Sequence, residues 1–215
     1  MSNAAARVAV YGGVSAVCAY YRDMKTVCLL GSPRRDGNSD RLAQRFLTKA
    51  EALGSEVRTF ALSEIEFSGC RSLYRCKTDL DHCGQYDGLT PVLAAVAQAD
   101  VVVLVSPIFF TNVTSQLKAA IDRFFSFLVP DYSTNPVKSR LPAGRTIVLV
   151  QTQGEAEEQY GDILERFSFG FRYLGFDHQY LVRAWGVRAP DDLEHHPDFL
   201  EECDRVAETV YANPD

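Results

Sequence analysis

The sequence is poor in cysteine, in clustered basic charge and in long apolar runs, and each shortage excludes a class of protein. Six cysteines among 215 residues are too few for a small scaffold held together by disulfides. No run approaches the roughly 18 apolar residues needed to cross a membrane. Lysine and arginine total 22 against 28 acidic residues, a net charge of −6, which argues against a dedicated nucleic-acid binder. We therefore expect no nucleic-acid partner and no membrane span.

The acidic excess lies at one end of the chain. Residues 191–215 hold nine acidic side chains and one basic side chain, a charge of −8, so the preceding 190 residues carry +2. A slightly basic body suits bound phosphate better than the whole-chain charge suggests. We expect the acidic tail to lie outside any cofactor site.

Residues 1–23 precede the first clear structural pattern. The uncharged run at 8–21 follows Arg7 as in a signal peptide, but two glycines and three tyrosines dilute it and no A-x-A site follows. Met24 leads directly into a strand-like run. We therefore predict an N-terminal extension over 1–23, either a remnant of an added tag or a start assigned too early, and a single domain over 24–215. The sparse cysteines favour reduced thiols and a cytoplasmic location.

From Lys25 onward, strand patterns alternate with helix patterns. Strands are predicted over Lys25–Leu30, Ser55–Leu62, Asp100–Val105, Arg145–Gln151 and Asp177–Trp185. Helices are predicted over Asn38–Leu53, Thr90–Ala99, Val113–Val129, Glu155–Leu174 and Pro197–Tyr211. Residues 63–87 show no periodicity and form a long irregular loop. This alternation predicts an α/β fold with a five-stranded parallel sheet and helices on both faces.

The segment after the first strand has the residues of a phosphate-binding loop. It reads GSPRRDGNS from Gly31 to Ser39, and in open α/β sheets ligands bind outside the carboxyl ends of the strands. The side chains of Ser32, Asn38 and Ser39 can donate hydrogen bonds, Arg34 adds positive charge, and a helix N-terminus favours anions. It is not a Walker loop, because Asn38 stands where a lysine is required. The alternative is an ordinary turn in which Asn38 or Ser39 only caps the helix.

Cys28 and Arg34 also match the Cys-x5-Arg spacing of a cysteine-dependent phosphatase. Leu29 and Leu30 follow the cysteine, where such a loop should turn its amides inward. They place Cys28 within a buried strand, as a neutral thiol. The phosphatase is therefore a remote alternative.

Two further loops follow the third and fourth strands. Pro107, Ile108, Phe109 and Phe110 suit a flat aromatic ligand, although both phenylalanines could equally cover the core. Thr152, Gln153 and Gly154 form a small polar turn before a helix. A phosphate loop, an aromatic loop and a polar loop at one sheet edge together indicate a site for flavin mononucleotide (FMN).

The motifs at these positions resemble those of a known family. Gly31-Ser-Pro-Arg34, Gly37-Asn-Ser39, Ser106-Pro-Ile-Phe-Phe110, Ser115-Gln-Leu-Lys118 and Ile121-Asp-Arg123 resemble the NAD(P)H-dependent FMN reductases and iron–sulfur flavoproteins of flavodoxin-like fold, from about Met24 to Gly175. The resemblance implies a three-layer sandwich with strand order 2-1-3-4-5. It implies that the FMN phosphate is bound by Ser32, Arg34, Asn38 and Ser39. It further implies that the isoalloxazine lies between Pro107, Ile108, Phe109 and Phe110 on one side and Thr152, Gln153 and Gly154 on the other.

The chain departs from the family pattern at two positions in the second loop. Phe109 stands where the family usually has tyrosine, which removes a hydroxyl group, and Thr111 replaces a common glycine. We therefore expect the loop after Phe110 to differ in conformation.

The resemblance implies an FMN-dependent oxidoreductase. Hydride would pass from a nicotinamide cofactor through FMN to a quinone-like, azo, nitro or metal acceptor, and related enzymes form homodimers or homotetramers. The flavin supplies the chemistry, so no acid–base residue is predicted. The alternative is a flavodoxin-type electron carrier, with or without an iron–sulfur cluster.

Three cysteines lie in the irregular loop, at Cys70, Cys76 and Cys83. A [4Fe–4S] cluster generally needs four thiolates, and no fourth cysteine is near. His82 could complete a zinc site, but we expect neither metal nor cluster. The cysteines are expected to be packing residues, degenerate ligands or redox-active thiols.

Overall fold

The computed structural model of the protein describes residues 24–212, so the predicted extension at 1–23 lies outside the described residues. The strands are β1 (Lys25–Leu30), β2 (Glu56–Ala61), β3 (Val101–Pro107), β4 (Arg145–Thr152) and β5 (Phe176–Ala184). The α-helices are α1 (Asn38–Ala52), α2 (Arg75–Thr78), α3 (Thr90–Gln98), α4 (Ser115–Arg123), α5 (Ile163–Tyr173) and α6 (Pro197–Ala212). Short 3-10 helices cover Leu62–Glu64, Phe124–Phe127 and Asp192–His195. Within this range, no helix combines the length and apolar character needed to cross a membrane.

The five strands form one parallel sheet in the order β2-β1-β3-β4-β5, which confirms the predicted fold class. Every strand pair is parallel, because a helix or a helix-containing connection returns the chain to the same end of the sheet. The order reverses between β1 and β3. That reversal defines the switch point at which ligands bind in open α/β sheets.

Alternate residues of the central strands pack into two separate cores. On β3, Val102 and Leu104 face one core and Val103 and Val105 face the other. Helices α3, α4 and α5 cover the first face, while α1 and α6 cover the second. Strands buried on both faces explain the uninterrupted apolar runs in the sequence.

The acidic tail packs against the basic face of α1. Three ion pairs, one helical turn apart along α1, join the two segments: Arg41–Glu194, Arg45–Asp204 and Lys49–Glu208. Exposed pairs of this kind each contribute about 0–1 kcal/mol. Part of the positive charge of the body is therefore neutralised by the tail.

Two predicted helices are shorter than their patterns suggest. The helix predicted over Val113–Val129 begins at Ser115, where Thr114 caps it, and changes to a 3-10 turn after Arg123. The Lys77 ammonium group binds the carbonyls of Phe125 and Leu128, each at 2.7 Å, so neither carbonyl needs a helical partner.

The helix predicted over Glu155–Leu174 begins only at Ile163. The side chains of Gln151, Gln153 and Arg183 bind the carbonyls of Ala156, Glu157, Gln159 and Tyr160, which would otherwise accept the helical hydrogen bonds of the first turns. The apolar periodicity of the sequence is present, but these side-chain contacts, local from the two glutamines and long-range from Arg183, override it.

Candidate functional site

The carboxyl ends of β1, β3 and β4 meet at one edge of the sheet. Leu30 pairs with Val105, and Pro107 pairs with Thr152, so the three predicted loops leave the sheet side by side. The amide of Ile108 donates to the carbonyl of Thr152 at 2.8 Å. The sheet register thus brings together the segments that the sequence analysis selected.

The first loop presents a helix N-terminus without a side-chain cap. Gly37 occupies the N-cap position of α1 in an extended conformation and has no side chain to bind the first amides. Arg34 is exposed and its side chain forms no hydrogen bond within residues 24–212, whereas its neighbour Arg35 pairs with Glu64. Free amides and a free guanidinium at one helix start form a donor set suited to a phosphate.

Ser32 and Ser39 lie in this loop as predicted. The Ser32 hydroxyl is buried and accepts a hydrogen bond from the Arg34 amide at 3.2 Å, which stabilises the turn. The Ser39 hydroxyl lies 2.5 Å from the hydroxyl of Thr152. Both are almost completely buried, so this contact ties the first loop to the third.

Asn38 has different partners from those expected of a phosphate ligand. Its side-chain amide donates to the carbonyl of Ala189 at 2.6 Å, and its carbonyl oxygen accepts from the amide of Leu193 at 3.2 Å. The start of the acidic tail therefore lies beside the phosphate loop. The expectation that the whole tail lies outside the cofactor site is wrong for these first residues.

Asp192 stabilises the turn that brings the tail to the loop. Its carboxylate accepts hydrogen bonds from the amides of Arg188 at 2.6 Å and Ala189 at 2.7 Å. These two bonds hold the pKa of Asp192 below its ordinary value. At neutral pH this carboxylate is ionised and accepts hydrogen bonds from two backbone amides. These bonds partly offset its negative charge beside the phosphate loop.

The site has two structural residues to which the sequence analysis assigned no role, Ser106 and Thr114. The Ser106 hydroxyl accepts from the amide of Thr114 at 2.9 Å, and the Thr114 hydroxyl donates to the carbonyl of Gly31 at 2.8 Å. A Cβ atom at Gly31 would lie 2.8 Å from Leu117 Cβ, so only glycine fits at this crossing of β1 and α4. Threonine just before an apolar helical pattern is an N-cap pattern that could have identified Thr114.

The second loop folds as a tight turn in a strained conformation. Phe109 and Asn112 exchange backbone hydrogen bonds, and the two residues between them, Phe110 and Thr111, have φ angles of +42° and +71°. Turns with two positive φ angles favour asparagine and glycine, not an aromatic and a β-branched residue. At the position where the sequence analysis predicts a different loop conformation, Thr111 thus has a positive φ angle that favours glycine.

This turn projects aromatic surface into solvent. Phe110 is 99% exposed and Phe109 is 45% exposed, whereas Pro107 and Ile108 are half-buried. Covering the core does not explain phenylalanine side chains this exposed. Exposed aromatic surface beside a polar loop marks a contact surface for a flat ligand or for another protein.

The third loop is polar and held from within. Gln153 is buried, and its side chain binds the carbonyls of Ala156 at 2.7 Å and Gln159 at 2.8 Å. The carbonyl of Gly154 accepts from Arg188 Nε at 2.8 Å. The backbone of Gln153 is also paired, since its amide donates to the carbonyl of Ala184 at 2.9 Å and its carbonyl accepts from the amide of Val187 at 3.0 Å. Gln153 therefore shapes the loop from within, and Gly154 is the more accessible residue of the turn.

The residues at this edge fit FMN. Unpaired amides and Arg34 match a phosphate, and the exposed phenylalanines and the polar turn match a flat ring with a polar edge. The sequence of the chain supports the same reading. The family of NADPH-dependent FMN reductases matches it over residues 24–160. The chain belongs to this family.

Curated relatives and solved structures are also similar to this chain. An iron–sulfur flavoprotein of Archaeoglobus fulgidus is 32% identical over 164 residues, which cover 76% of this chain and 64% of the relative. One of Methanosarcina thermophila is 30% identical over 100 residues, 46% of this chain and 52% of the relative. The aligned part of the chain thus spans less than two thirds of either relative.

Two solved structures share the fold. An FMN-dependent NADH-azoreductase of Bacillus anthracis, solved in complex with FMN, has a TM-score of 0.67 at 20% identity and covers 87% of this chain and 99% of its own. An NAD(P)H:quinone oxidoreductase of Methanothermobacter marburgensis has a TM-score of 0.64 at 15% identity, with 88% and 98% covered. Identities this low establish the flavodoxin-like fold alone.

A buried arginine holds the irregular loop of residues 63–87 that contains Cys70, Cys76 and Cys83, called here the cysteine loop. The side chain of Arg123 is fully buried, and its Nη1 atom lies 2.7 Å and 2.9 Å from the two carboxylate oxygens of Asp87. Its other donors bind the carbonyl of Gln85 at 2.9 Å and the thiol sulfur of Cys83 at 3.1 Å. Arg123 therefore fixes a segment that has almost no regular secondary structure.

The loop does not fit an iron–sulfur cluster. Cys70, Cys76 and Cys83 line one cavity of about 440 Å³, but no three metal-ligating side chains within residues 24–212 lie close enough together to hold an ion. Leu73 lies midway between Cys70 and Cys76, where the C-x2-C-x2-C spacing of cluster ligands has a cysteine. A half-exposed leucine, which has no atom that can bind iron, thus stands where the spacing has a cysteine, and the sulfur of Cys83 accepts a hydrogen bond from Arg123.

Cys28 has none of the properties of a nucleophile. Its side chain is completely buried in β1, and burial raises the pKa of its thiol to about 12. A thiol of this kind is neutral at physiological pH, whereas phosphatase chemistry requires a thiolate.

Proposed function

We propose that this protein is an FMN-dependent oxidoreductase that takes hydride from NADPH or NADH and reduces a flat, aromatic acceptor. One observation carries the proposal: an uncapped helix start with a free arginine lies beside exposed aromatic side chains, at the switch point of the sheet. Membership of the NADPH-dependent FMN reductase family supports it. The azoreductase and quinone oxidoreductase of similar fold agree with an acceptor of this kind.

The residues of the chain would bind and orient the cofactor. The amides of the first turn of α1, with Ser32 and Arg34, would bind the phosphate group. Phe109 and Phe110 would lie along one side of the isoalloxazine, and Thr152 to Gly154 along the other. Asn38 and Ser39 would act indirectly, since their side chains already join the first loop to Ala189 and Thr152.

The bound flavin would accept hydride from the nicotinamide and pass reducing equivalents to the acceptor. The protein then needs to hold the ring, exclude water and leave one face open. The exposed parts of Phe109 and Phe110 would border that open face with apolar surface. Quinone-like, azo and nitro compounds are flat and could stack on such a face. A metal acceptor would not need to stack.

We also propose a homodimer or homotetramer. The exposed aromatic turn would be partly covered in such an assembly, since exposed apolar surface of this kind often marks an interface. Light scattering of the FMN-loaded protein tests this proposal, and a strictly monomeric species would contradict it.

A pair of neighbouring arginines gives a matched test of the cofactor site. Arg34→Ala removes the unpaired guanidinium and should weaken FMN binding about 10- to 100-fold, since a charged hydrogen bond contributes roughly 1.5–3 kcal/mol. Arg35→Ala removes an equally exposed arginine that pairs with Glu64 and should leave the Kd for FMN nearly unchanged. Riboflavin, which lacks the phosphate, should bind both variants equally.

Reduction by nicotinamide separates the enzyme from an electron carrier. Anaerobic mixing of the FMN-loaded protein with NADPH or NADH should bleach the flavin absorbance within seconds. A loaded protein that neither nicotinamide bleaches would be a flavodoxin-type carrier. A protein that binds no FMN would exclude both functions.

A further inference from the structure

The segment between β4 and α5, residues 153–162, is held by side chains that rise from the sheet beneath it. Gln151 of β4 and Arg183 of β5 are direct partners in the sheet register. Gln151 alternates with Ile147 and Leu149, which pack in the core on the α5 side, so both side chains point toward this segment. Residues from two strands thus meet below one loop.

The contacts within this network are short and numerous. The Nη2 atom of Arg183 donates to the carbonyls of Gln159 at 2.8 Å and Glu157 at 2.9 Å, and to the side-chain oxygen of Gln153 at 3.3 Å. The side-chain amide of Gln151 donates to the same oxygen at 2.8 Å and to the carbonyl of Tyr160 at 3.0 Å.

The segment is shaped around the arginine. A Cβ atom at Gly161 would lie 3.0 Å from Arg183 Nη1, so a larger residue there would disturb the guanidinium. The neighbouring Tyr160 has a φ angle of +59°, which costs an ordinary residue about 1 kcal/mol and persists only where its surroundings enforce it. Both features show that contacts with the side chains beneath the segment impose its conformation.

The network also carries an unneutralised charge. Arg183 forms no ion pair within residues 24–212, because its partners are carbonyl and amide oxygens. Two atoms of the network, Gln151 Oε1 and Arg183 Nε, are buried and have no hydrogen-bond partner among residues 24–212. A group of buried polar atoms that leaves two unsatisfied is costly as a purely structural anchor and indicates a functional constraint.

We propose that Arg183, acting through Gln153 and the β4–α5 segment, is a positioning residue for the FMN site. This inference rests on the proposed function, which places the isoalloxazine beside the start of this segment at Thr152 to Gly154. Arg183 fixes the carbonyls of Glu157 and Gln159 directly, and through the side chain of Gln153 it fixes the turn that borders the ring. Its positive charge also favours the reduced flavin, because reduction adds negative charge to the ring system.

Two substitutions separate geometry from charge. Arg183→Lys keeps the charge, but its shorter side chain does not place a nitrogen at the position of Nη2, the atom that reaches all three oxygens. Arg183→Met removes both the charge and the donor. Arg172→Met is the control, since Arg172 is an exposed arginine of α5 whose side chain, within residues 24–212, forms a hydrogen bond to Ser168 alone.

Hydrogen–deuterium exchange of the flavin-free protein tests the geometry without the cofactor. In Arg183→Lys and Arg183→Met, amides of residues 154–162 should exchange about tenfold faster or more, the equivalent of losing roughly 1.4 kcal/mol of local protection. The control should leave exchange unchanged. Unchanged exchange in both Arg183 variants would overturn the inference, whatever the protein does with FMN.

The flavin-loaded proteins test the functional part. Arg183→Met should bind FMN at least tenfold more weakly and lower its reduction potential, and Arg183→Lys should weaken binding with a smaller change in potential. If wild type binds FMN and both variants match its Kd and potential, the inference is wrong while the proposed function stands. If wild type binds no FMN, the proposed function itself fails, and the exchange data show whether Arg183 still fixes the segment.

Discussion

The buried pair of Arg123 and Asp87 allows a prediction of large magnitude. The Arg123 side chain has no solvent exposure and donates to the carboxylate of Asp87, to two carbonyls and to the thiol of Cys83. Arg123→Met fills similar volume but leaves Asp87, whose side chain is only 21% exposed, without its cationic partner. Removing one member of a buried ion pair typically costs about 3–5 kcal/mol.

For a domain of this size, a loss of about 4 kcal/mol corresponds to a fall in Tm of roughly 8–16 °C. Urea unfolding of the flavin-free protein measures the free energy of unfolding directly. Because the pair bridges α4 and the cysteine loop, exchange protection at residues 68–87 should fall most. Arg75→Met is the control, since Arg75 pairs with Asp79 on the surface and its loss should cost less than about 1 kcal/mol.

The double variant Arg123→Met with Asp87→Leu then tests the reason for the effect. Replacing a whole buried ion pair by apolar side chains is often neutral, so the double variant should recover much of the stability. A loss below about 1 kcal/mol for Arg123→Met alone would refute the reasoning, since it would mean that the cysteine loop does not depend on this pair.

Two further predictions concern the strained turn and the buried thiols. Thr111→Gly should raise Tm by about 1–4 °C, because relief of roughly 1–2 kcal/mol of left-handed strain exceeds the entropic cost of glycine; Thr59→Gly on the exposed strand β2 should lower it, and a lower Tm for Thr111→Gly would contradict the strain argument. Burial raises the thiol pKa values of Cys28 and Cys203 from 9.0 to about 12, so the folded state keeps protons that the unfolded state releases. Their stabilisation is complete below pH 9 and should be lost between pH 9 and 12, at roughly 1 kcal/mol per pH unit for each thiol. Urea unfolding at several pH values across that range gives the slope of the free energy of unfolding against pH. This slope should be smaller in the double variant Cys28→Ala with Cys203→Ala than in the wild type, and equal slopes would contradict the prediction.

Much of the fold could be predicted because its causes are local. The β-branched run of β3 and the apolar run of β1 indicate strands buried on both faces. Their alternation with helical patterns requires parallel pairing, since crossover helices return the chain to the same end of the sheet. The strand boundaries agree with the structure to within one or two residues. Strand order came from the family resemblance, not from the patterns.

The composition of the site was predictable for a related reason. Loops after parallel strands share one edge, so Gly31 to Ser39, Pro107 to Phe110 and Thr152 to Gly154 had to lie close together once the sheet was parallel. The free Arg34 and the uncapped start of α1 agree with the predicted phosphate loop. Their role toward FMN stays a prediction until binding is measured.

Only the tertiary structure decided which partner each of these polar side chains binds. Asn38 has the chemistry of a phosphate ligand, yet its amide binds Ala189, which is 151 positions away. The apolar period of residues 155–174 indicates a longer helix, but Arg183 of β5 binds the carbonyls of Glu157 and Gln159 in its first turns. A hydrogen-bond donor that approaches from a distant strand leaves no mark on the local sequence.

The sequence alone thus determined the alternating α/β architecture, the loops that meet at the proposed cofactor edge and the position of the acidic charge. Periodicity and turn residues encode those properties within a few neighbouring positions. The tertiary structure decided that the tail reaches the phosphate loop, that Arg123 organises the cysteine loop and that Arg183 fixes the β4–α5 segment. Each of these depends on a polar side chain whose partners lie far along the chain, and burial then makes the contact strong because water no longer competes for it.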